Sequence, residues 1–181
     1  MHVRFTYALN YYLLASCLGF GEVGLESSFW LGLKCLHQLT RYGGYTRMRV
    51  EMQADDDNAW YSAEYDHFSV ANESTEYRLS VAGYSGDAET DDQLWPSHWQ
   101  NFSTYDHGMQ ASMAVMMEGG WWYSGFDFAC LNGVYESSFM MNSTGFYWNS
   151  NYQIPLPPRT SGLFGAQPGR LRSSRIMLTR P

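Results

Sequence analysis

The side chains with most to offer chemically lie at Gly119-Gly120-Trp121-Trp122-Tyr123 and in the following stretch Cys130-Leu131-Asn132-Gly133-Val134-Tyr135. Large amphipathic rings stack on apolar ligand faces and carry an N–H or O–H that fixes orientation. The paired glycines leave room for close backbone approach, and Asn132-Gly133 is a tight-turn pair. The stretch reads either as the rim of a binding pocket or as aromatic core beside a turn. Catalysis has no comparable support. The histidines His2, His37, His67, His98 and His107 have no ligand spacing, and no P-loop, dinucleotide-binding, nucleophile-elbow or zincin motif occurs. Nothing in the sequence brings Ser, His and Asp together. No catalytic residue is assigned, and no enzyme is expected.

Other polar groups are next in chemical interest. Asp55-Asp56-Asp57-Asn58 offers contiguous oxygens but lacks the alternation and the glycine of a calcium loop, so it reads as a polar turn. Cys17, Cys35 and Cys130 lack the CxxC spacing of a zinc site, and their odd number leaves at least one free thiol in a monomer. Asn72-Glu73-Ser74, Asn101-Phe102-Ser103 and Asn142-Ser143-Thr144 are acceptor triplets for N-glycosylation, and together they favour a secreted, extracellular chain.

The bulk properties agree. Of the 181 residues, 17% are aromatic and only 16% charged, a folded profile with rings to spare for recognition. The net charge is −7, and residues 159–181 hold five arginines and no acid. An acidic body argues against a nucleic-acid partner, which needs a basic face. The basic end reads either as an anion site or, preferably, as a neutralising partner for the acidic body.

These side chains need a scaffold. Residues 1–18, with Arg4 before a mostly apolar run to Ala15 and Cys17, read as a signal-like segment or as a divergent domain edge, and the run is too short and interrupted to span a bilayer. Gly19-Phe20-Gly21 is a break. Leu31, Cys35, Leu36 and Leu39 recur at helical spacing, and Gly43-Gly44 closes the helix. Met48, Val50 and Met52 alternate with Arg47, Arg49 and Glu51 as in a half-buried strand. Tyr61, Ala63 and Tyr65 mark a second strand, and Tyr77, Leu79 and Val81 a third, which predicts an antiparallel meander. Residues 83–87, 95–99 and most of 100–170 read as loop. Pro155, Pro157 and Pro158 mark an extended stretch and 159–174 a flexible one, with Ile176-Met177-Leu178 a short returning strand.

Set in order, these pieces resemble the fibrinogen C-terminal globular domain. The motifs that carry the resemblance are Gly19-Phe20-Gly21, Phe29-Trp30-Leu31-Gly32, His37-Gln38-Leu39-Thr40, Met48-Arg49-Val50, Tyr77-Arg78-Leu79-Ser80, Gly83-Tyr84-Ser85-Gly86, Phe102-Ser103-Thr104-Tyr105-Asp106, Gly120-Trp121-Trp122-Tyr123, Leu131-Asn132-Gly133-Val134-Tyr135, Gly145-Phe146-Tyr147-Trp148 and Ile176-Met177-Leu178-Thr179-Arg180-Pro181. They cover roughly residues 19–181. The resemblance implies an α+β fold, a twisted antiparallel sheet with short flanking helices and a loop-rich C-terminal subdomain. It implies a secreted recognition module, with a glycan or an extracellular protein as partner. One expectation is a lectin that binds acetylated glycans in innate immunity, through a pocket of Trp122, Tyr123, Phe126, Asp127, Tyr135 and Trp148. The alternatives are a protein-ligand domain of angiopoietin or tenascin type and a truncated copy without function.

The chain departs from the pattern at four places. The family's N-terminal subdomain, with its first disulfide and a central-sheet strand, has no counterpart before Gly19, which implies an exposed edge prone to oligomerisation. Asp106 stands at the first calcium-loop aspartate but Gly108 at the second, so no calcium cofactor is expected. Met113 and Phe126 occupy the positions of the pocket disulfide, where packing could replace the bridge. Asp127 stands where many family lectins carry histidine, which disfavours anionic ligands.

Overall fold

A computed structural model of the chain describes residues 20–21, 29–54, 58–88, 92–125, 129–133, 147–148 and 169–181. Its centre is β3, Arg47–Ala54, in which Met48, Val50 and Met52 are buried while Arg47, Arg49 and Glu51 face outward. Period-two alternation demands this arrangement. β3 pairs antiparallel with β4, Trp60–Val70, on one side and with β8, Gly169–Thr179, on the other. β4 in turn pairs with β5, Leu79–Gly86, so the expected meander is present. Short strands β6, Ala129–Cys130, and β7, Tyr147–Trp148, complete a six-stranded sheet of order β5-β4-β3-β8-β7-β6. A separate pair joins β1, Phe20–Gly21, to β2, Phe29–Trp30. With two helices alongside, the architecture is the expected α+β.

The strands run further than local pattern suggests. Residues 83–86, expected as loop, extend β5, and residues 169–174, expected as flexible, extend β8. Phe20–Gly21 is paired rather than a break. The reason is visible in β4 and β5. Ala63 and Tyr65 are buried, then Asp66 and His67 are both exposed, and burial resumes at Phe68 and Val70. β5 changes face at the same level: Leu79 and Val81 are buried, Ala82 and Gly83 are exposed, and Tyr84 turns back to meet Tyr65 at 5.6 Å. Gly83, at φ +72, permits the reversal, and a Cβ on it would lie 2.7 Å from the Asp66 Cβ. A strand that changes face loses the alternation by which sequence recognises it.

Helix α1 spans Leu33–Arg41 and buries Leu33, Leu36 and Thr40, so of the expected stripe Leu31, Cys35, Leu36 and Leu39 only Leu36 is buried. Gly32, at φ +92, sets the start of the helix, so Leu31 lies before it and is 37% exposed. Thr40 is a buried polar group with full employment. Its hydroxyl donates to the Leu36 carbonyl at 2.9 Å and accepts from the Val70 N–H at 3.3 Å, tying α1 to β4. A second helix, α2, spans Ala111–Met117 inside the region expected as loop, and Trp95–Ser97 forms a 3-10 turn. The acidic run 55–57 lies outside the described residues.

Candidate functional site

The Gly-Gly-Trp-Trp-Tyr stretch begins where α2 ends. Glu118 takes the left-handed conformation, and the Gly119 N–H returns to the Ala114 carbonyl at 3.2 Å. Gly119 then passes so close to the Asn132 turn that a Cβ would meet the Asn132 carbonyl at 2.0 Å. Asn132 is itself buried, and its side-chain amide donates to the Gly120 carbonyl at 3.0 Å. The two motifs that stand out in sequence are therefore clamped together, and this contact is what demands the glycine and the asparagine.

The rings that follow point into the core. Trp121 exchanges backbone hydrogen bonds with Ser103 at 2.9 and 3.1 Å. The Trp122 indole donates to the Tyr77 carbonyl at 2.7 Å, and the Tyr123 hydroxyl donates to the Gly119 carbonyl at 2.7 Å. Trp122 packs edge-on to Phe102 and Trp121, with centroids 5.0 and 5.2 Å away, and Trp30 closes the cluster. Cys130 is buried with its sulfur 3.7 Å from the Tyr123 hydroxyl and outside any disulfide, while Cys35 is in one.

The structure thus separates the proposed pocket residues. Trp122 is 2%, Tyr123 0% and Trp148 1% exposed, so all three are interior side chains with no face toward solvent. The alternative reading of the Trp pair, aromatic core beside a turn, is the one realised for these rings. Phe126, Asp127 and Tyr135 lie outside the described residues, as does Asn142. Met113, expected to replace a bridge by packing, lies against the core. Asp106 is exposed and accepts the Thr104 hydroxyl at 2.7 Å, while the neighbouring His107 faces Glu76 at 3.4 Å. Among the described residues no group of three or more His, Cys, Asp and Glu side chains converges as metal ligands would. Asn72 is exposed at the start of a 3-10 turn, and Asn101 is half-buried with its amide donating to Glu76 at 2.9 Å.

Three surface features were not legible in the sequence. The first is an apolar stretch from the loop before α2 onto its outer side, where Tyr105, Met109, Val115 and Met116 are 45%, 87%, 59% and 50% exposed. Ala114 and Met117 occupy the inward side of that helix. The second is a ring stack, with Trp95 lying flat on His98 at 5.0 Å, His98 edge-on to Trp99 at 4.9 Å and the Arg78 guanidinium 4.9 Å above Trp99. His98 Nδ1 accepts the Val81 N–H at 3.0 Å. Burial, and then the neighbouring His67, push the His98 pKa down, with Asp92 opposing. The third is a charge cluster on the outer face of the sheet. Glu51 takes hydrogen bonds from Arg49 and Arg175, and Arg49 reaches on to Glu64. Burial opposes ionisation of Glu51, but the two guanidiniums outweigh it and lower its pKa. Arg175 also lies 5.4 Å over Trp60, Arg172 reaches Asn58 and Arg180 reaches the Gly43 carbonyl. Of these arginines of the basic end, Arg175 meets a carboxylate, whereas Arg172 and Arg180 meet neutral oxygens.

Comparison with known proteins gives one consistent answer. Residues 8–154 match the family described as fibrinogen beta and gamma chains, C-terminal globular domain. Human Angiopoietin-4 is 41% identical over 120 residues, 65% of this chain and 23% of that protein. Protein scabrous of Drosophila melanogaster is 41% identical over 121 residues, 65% of this chain and 14% of that protein. Human Tenascin-R is 33% identical over 143 residues, 77% of this chain and 10% of that protein. The chain therefore spans about a third or less of the curated relatives it matches. Among solved structures, the fibrinogen-like globe domain of human ANGPTL2 superposes with a TM-score of 0.69 at 25% identity, covering 98% of this chain and 77% of that one. A lamprey fibrin D-dimer complexed with the peptide ligand Gly-His-Arg-Pro-amide shares the fold, with a TM-score of 0.65 over 99% of this chain and 60% of that one.

Proposed function

The chain belongs to the fibrinogen C-terminal globular domain family, and from that premise we propose that it is an extracellular protein-recognition domain of the angiopoietin and tenascin type. The observation that carries this reading is the exposed apolar side of α2 and its preceding loop. Met109 and the sequence-adjacent pair Val115 and Met116 stand exposed on and before one short helix, and apolar side chains grouped in this way support a partner surface where scattered single ones would not. Methionine suits such a surface, because its flexible, polarisable side chain adapts to a partner's contour. The disulfide at Cys35 supports residence in an oxidising compartment, as do the exposed Asn72 sequon and the relatives above. Among the described residues no helix is long and apolar enough to cross a membrane.

The acetylated-glycan reading has less support. Its described aromatic residues, Trp122, Tyr123 and Trp148, are inside the core, so Trp148→Ala would test folding before it tested binding. No catalytic role is proposed for any residue.

The test is a binding screen of the secreted chain against an array of extracellular protein domains, with an acetylated-glycan array run beside it. The expected outcome is a protein hit that Val115→Glu/Met116→Glu abolishes while the thermal midpoint stays within a few degrees, since surface substitutions cost within about 0.5 kcal/mol. Glycan binding without a protein hit would reverse the ordering of the two readings.

A further inference from the structure

The ring stack at Trp95, His98 and Trp99 has a candidate occupant within the chain itself. Trp99 is held in the left-handed region at φ +66, which bulky residues avoid. Both its flanks are pinned: its N–H donates to the Leu79 carbonyl at 2.8 Å, and the Leu79 N–H donates to the Gln100 carbonyl at 3.0 Å. The result is an indole 58% exposed, on the other side of His98 from Trp95, itself 61% exposed. Two residues later stands the acceptor triplet Asn101-Phe102-Ser103. Phe102 and Tyr77 turn into the core, while Arg78 meets Trp99 and Glu76 meets Asn101 on the outward side. Glu76 and Arg78, two apart on one segment, thus hold Asn101 and Trp99, two apart on the next.

We propose that Asn101 carries an N-linked glycan whose first N-acetylglucosamine covers the exposed faces of Trp99 and Trp95. The inference rests on the extracellular placement proposed above. In the transfer step, Asn101 Nδ2 loses a proton and bonds to the anomeric carbon of a lipid-pyrophosphate-linked oligosaccharide, and the lipid pyrophosphate leaves. The step precedes folding, because the Ser103 hydroxyl that completes the triplet is buried and accepts the Gln110 N–H at 3.2 Å in the folded domain. The product keeps one N–H on Nδ2, enough to retain the bond to Glu76, whose side chain is 33% exposed and leaves the sugar a way out. The apolar face and acetyl methyl of the sugar then meet the indole faces, replacing exposed hydrocarbon with a contact that aromatic rings favour.

The chain should be expressed by a secretory route in mammalian cells and its glycopeptides mapped after enzymatic release in heavy-oxygen water. Occupancy at Asn101 is expected. With glycans trimmed to one sugar, the acetyl-methyl proton resonance of the Asn101 sugar should show an upfield ring-current shift that Trp99→Gly removes, a substitution whose backbone suits φ +66. Asn101→Gln should increase quenching of tryptophan fluorescence by a soluble quencher. An unglycosylated Asn101, or a methyl resonance and quenching unchanged by these variants, overturns the proposal. The Asn72 site separates the causes: Asn72 occupied with Asn101 bare sinks this inference alone, whereas both bare sinks the secretory reading with it.

Discussion

Trp122 shows why burial and hydrogen bonding must be weighed together. Its ring is 2% exposed and its N–H satisfies the Tyr77 carbonyl. Trp122→Phe keeps the six-membered ring but removes that buried hydrogen bond and leaves space where the pyrrole ring was, so it should lower stability by about 1–3 kcal/mol in urea unfolding. A midpoint unchanged from the parent would mean that water or a backbone shift replaces the bond. His98 gives a pH signature. Burial and His67 hold its folded pKa below 6.5, so the folded imidazole resists the proton that the unfolded chain accepts. Its contribution is therefore fully present above pH 6.5 and is lost as pH falls toward the folded value. The urea midpoint should drop between about pH 7 and pH 5, and His98→Asn, which keeps an acceptor for Val81 without titrating in this range, should flatten that drop. The Trp pair and the Asn132 turn are prominent in sequence because rare residue types mark them. Their inward orientation is not, since a ring at a pocket rim and a ring in a core have the same composition.

At the scale of elements, β8 is the strand that local pattern underestimates most. It pairs with β3 along Arg47 to Ala54, and Arg175 faces Glu51 in that register. Glu51, held between Arg175 and Arg49, has a lowered pKa, so its contribution is present above 4.5 and is lost as pH falls through the folded value. Acid unfolding of the parent should therefore contain a component that Glu51→Gln lacks, read as a shallower loss of far-ultraviolet dichroism below about pH 4.5. An identical acid limb in the two proteins would show that the cluster is too well solvated to matter. Within β3 the alternation of Met48, Val50 and Met52 with charged neighbours was legible because both faces keep one role along the strand. β4 and β5 exchange faces at Asp66 and Gly83, and there the pattern fails.

For the whole molecule, the cysteines report on assembly. Cys130 is 0% exposed and Cys35 is in a disulfide. A thiol reagent should leave Cys130 unlabelled in the native domain and label it once the chain is unfolded, with the modified peptide identified by mass spectrometry. Rapid labelling of native protein would indicate that the layer of Tyr123, Cys130 and the Asn132 turn opens readily. By itself the sequence determined the family, through the order of many modest motifs from Gly19-Phe20-Gly21 to Ile176-Met177-Leu178-Thr179-Arg180-Pro181, and with it the α+β architecture and the meander. Residue types also marked the acceptor asparagines, because such triplets depend on identity and short spacing alone, whereas the odd cysteine count left open which cysteine stays outside a disulfide. Tertiary structure decided which rings are walls and which are surface. It turned Trp122, Tyr123 and Trp148 inward, left Trp95, Trp99, Met109, Val115 and Met116 outside, and placed Arg175 against Glu51. Those outcomes depend on strand register, on the face reversal at Gly83 and on contacts between residues far apart in the chain, and no local periodicity encodes them.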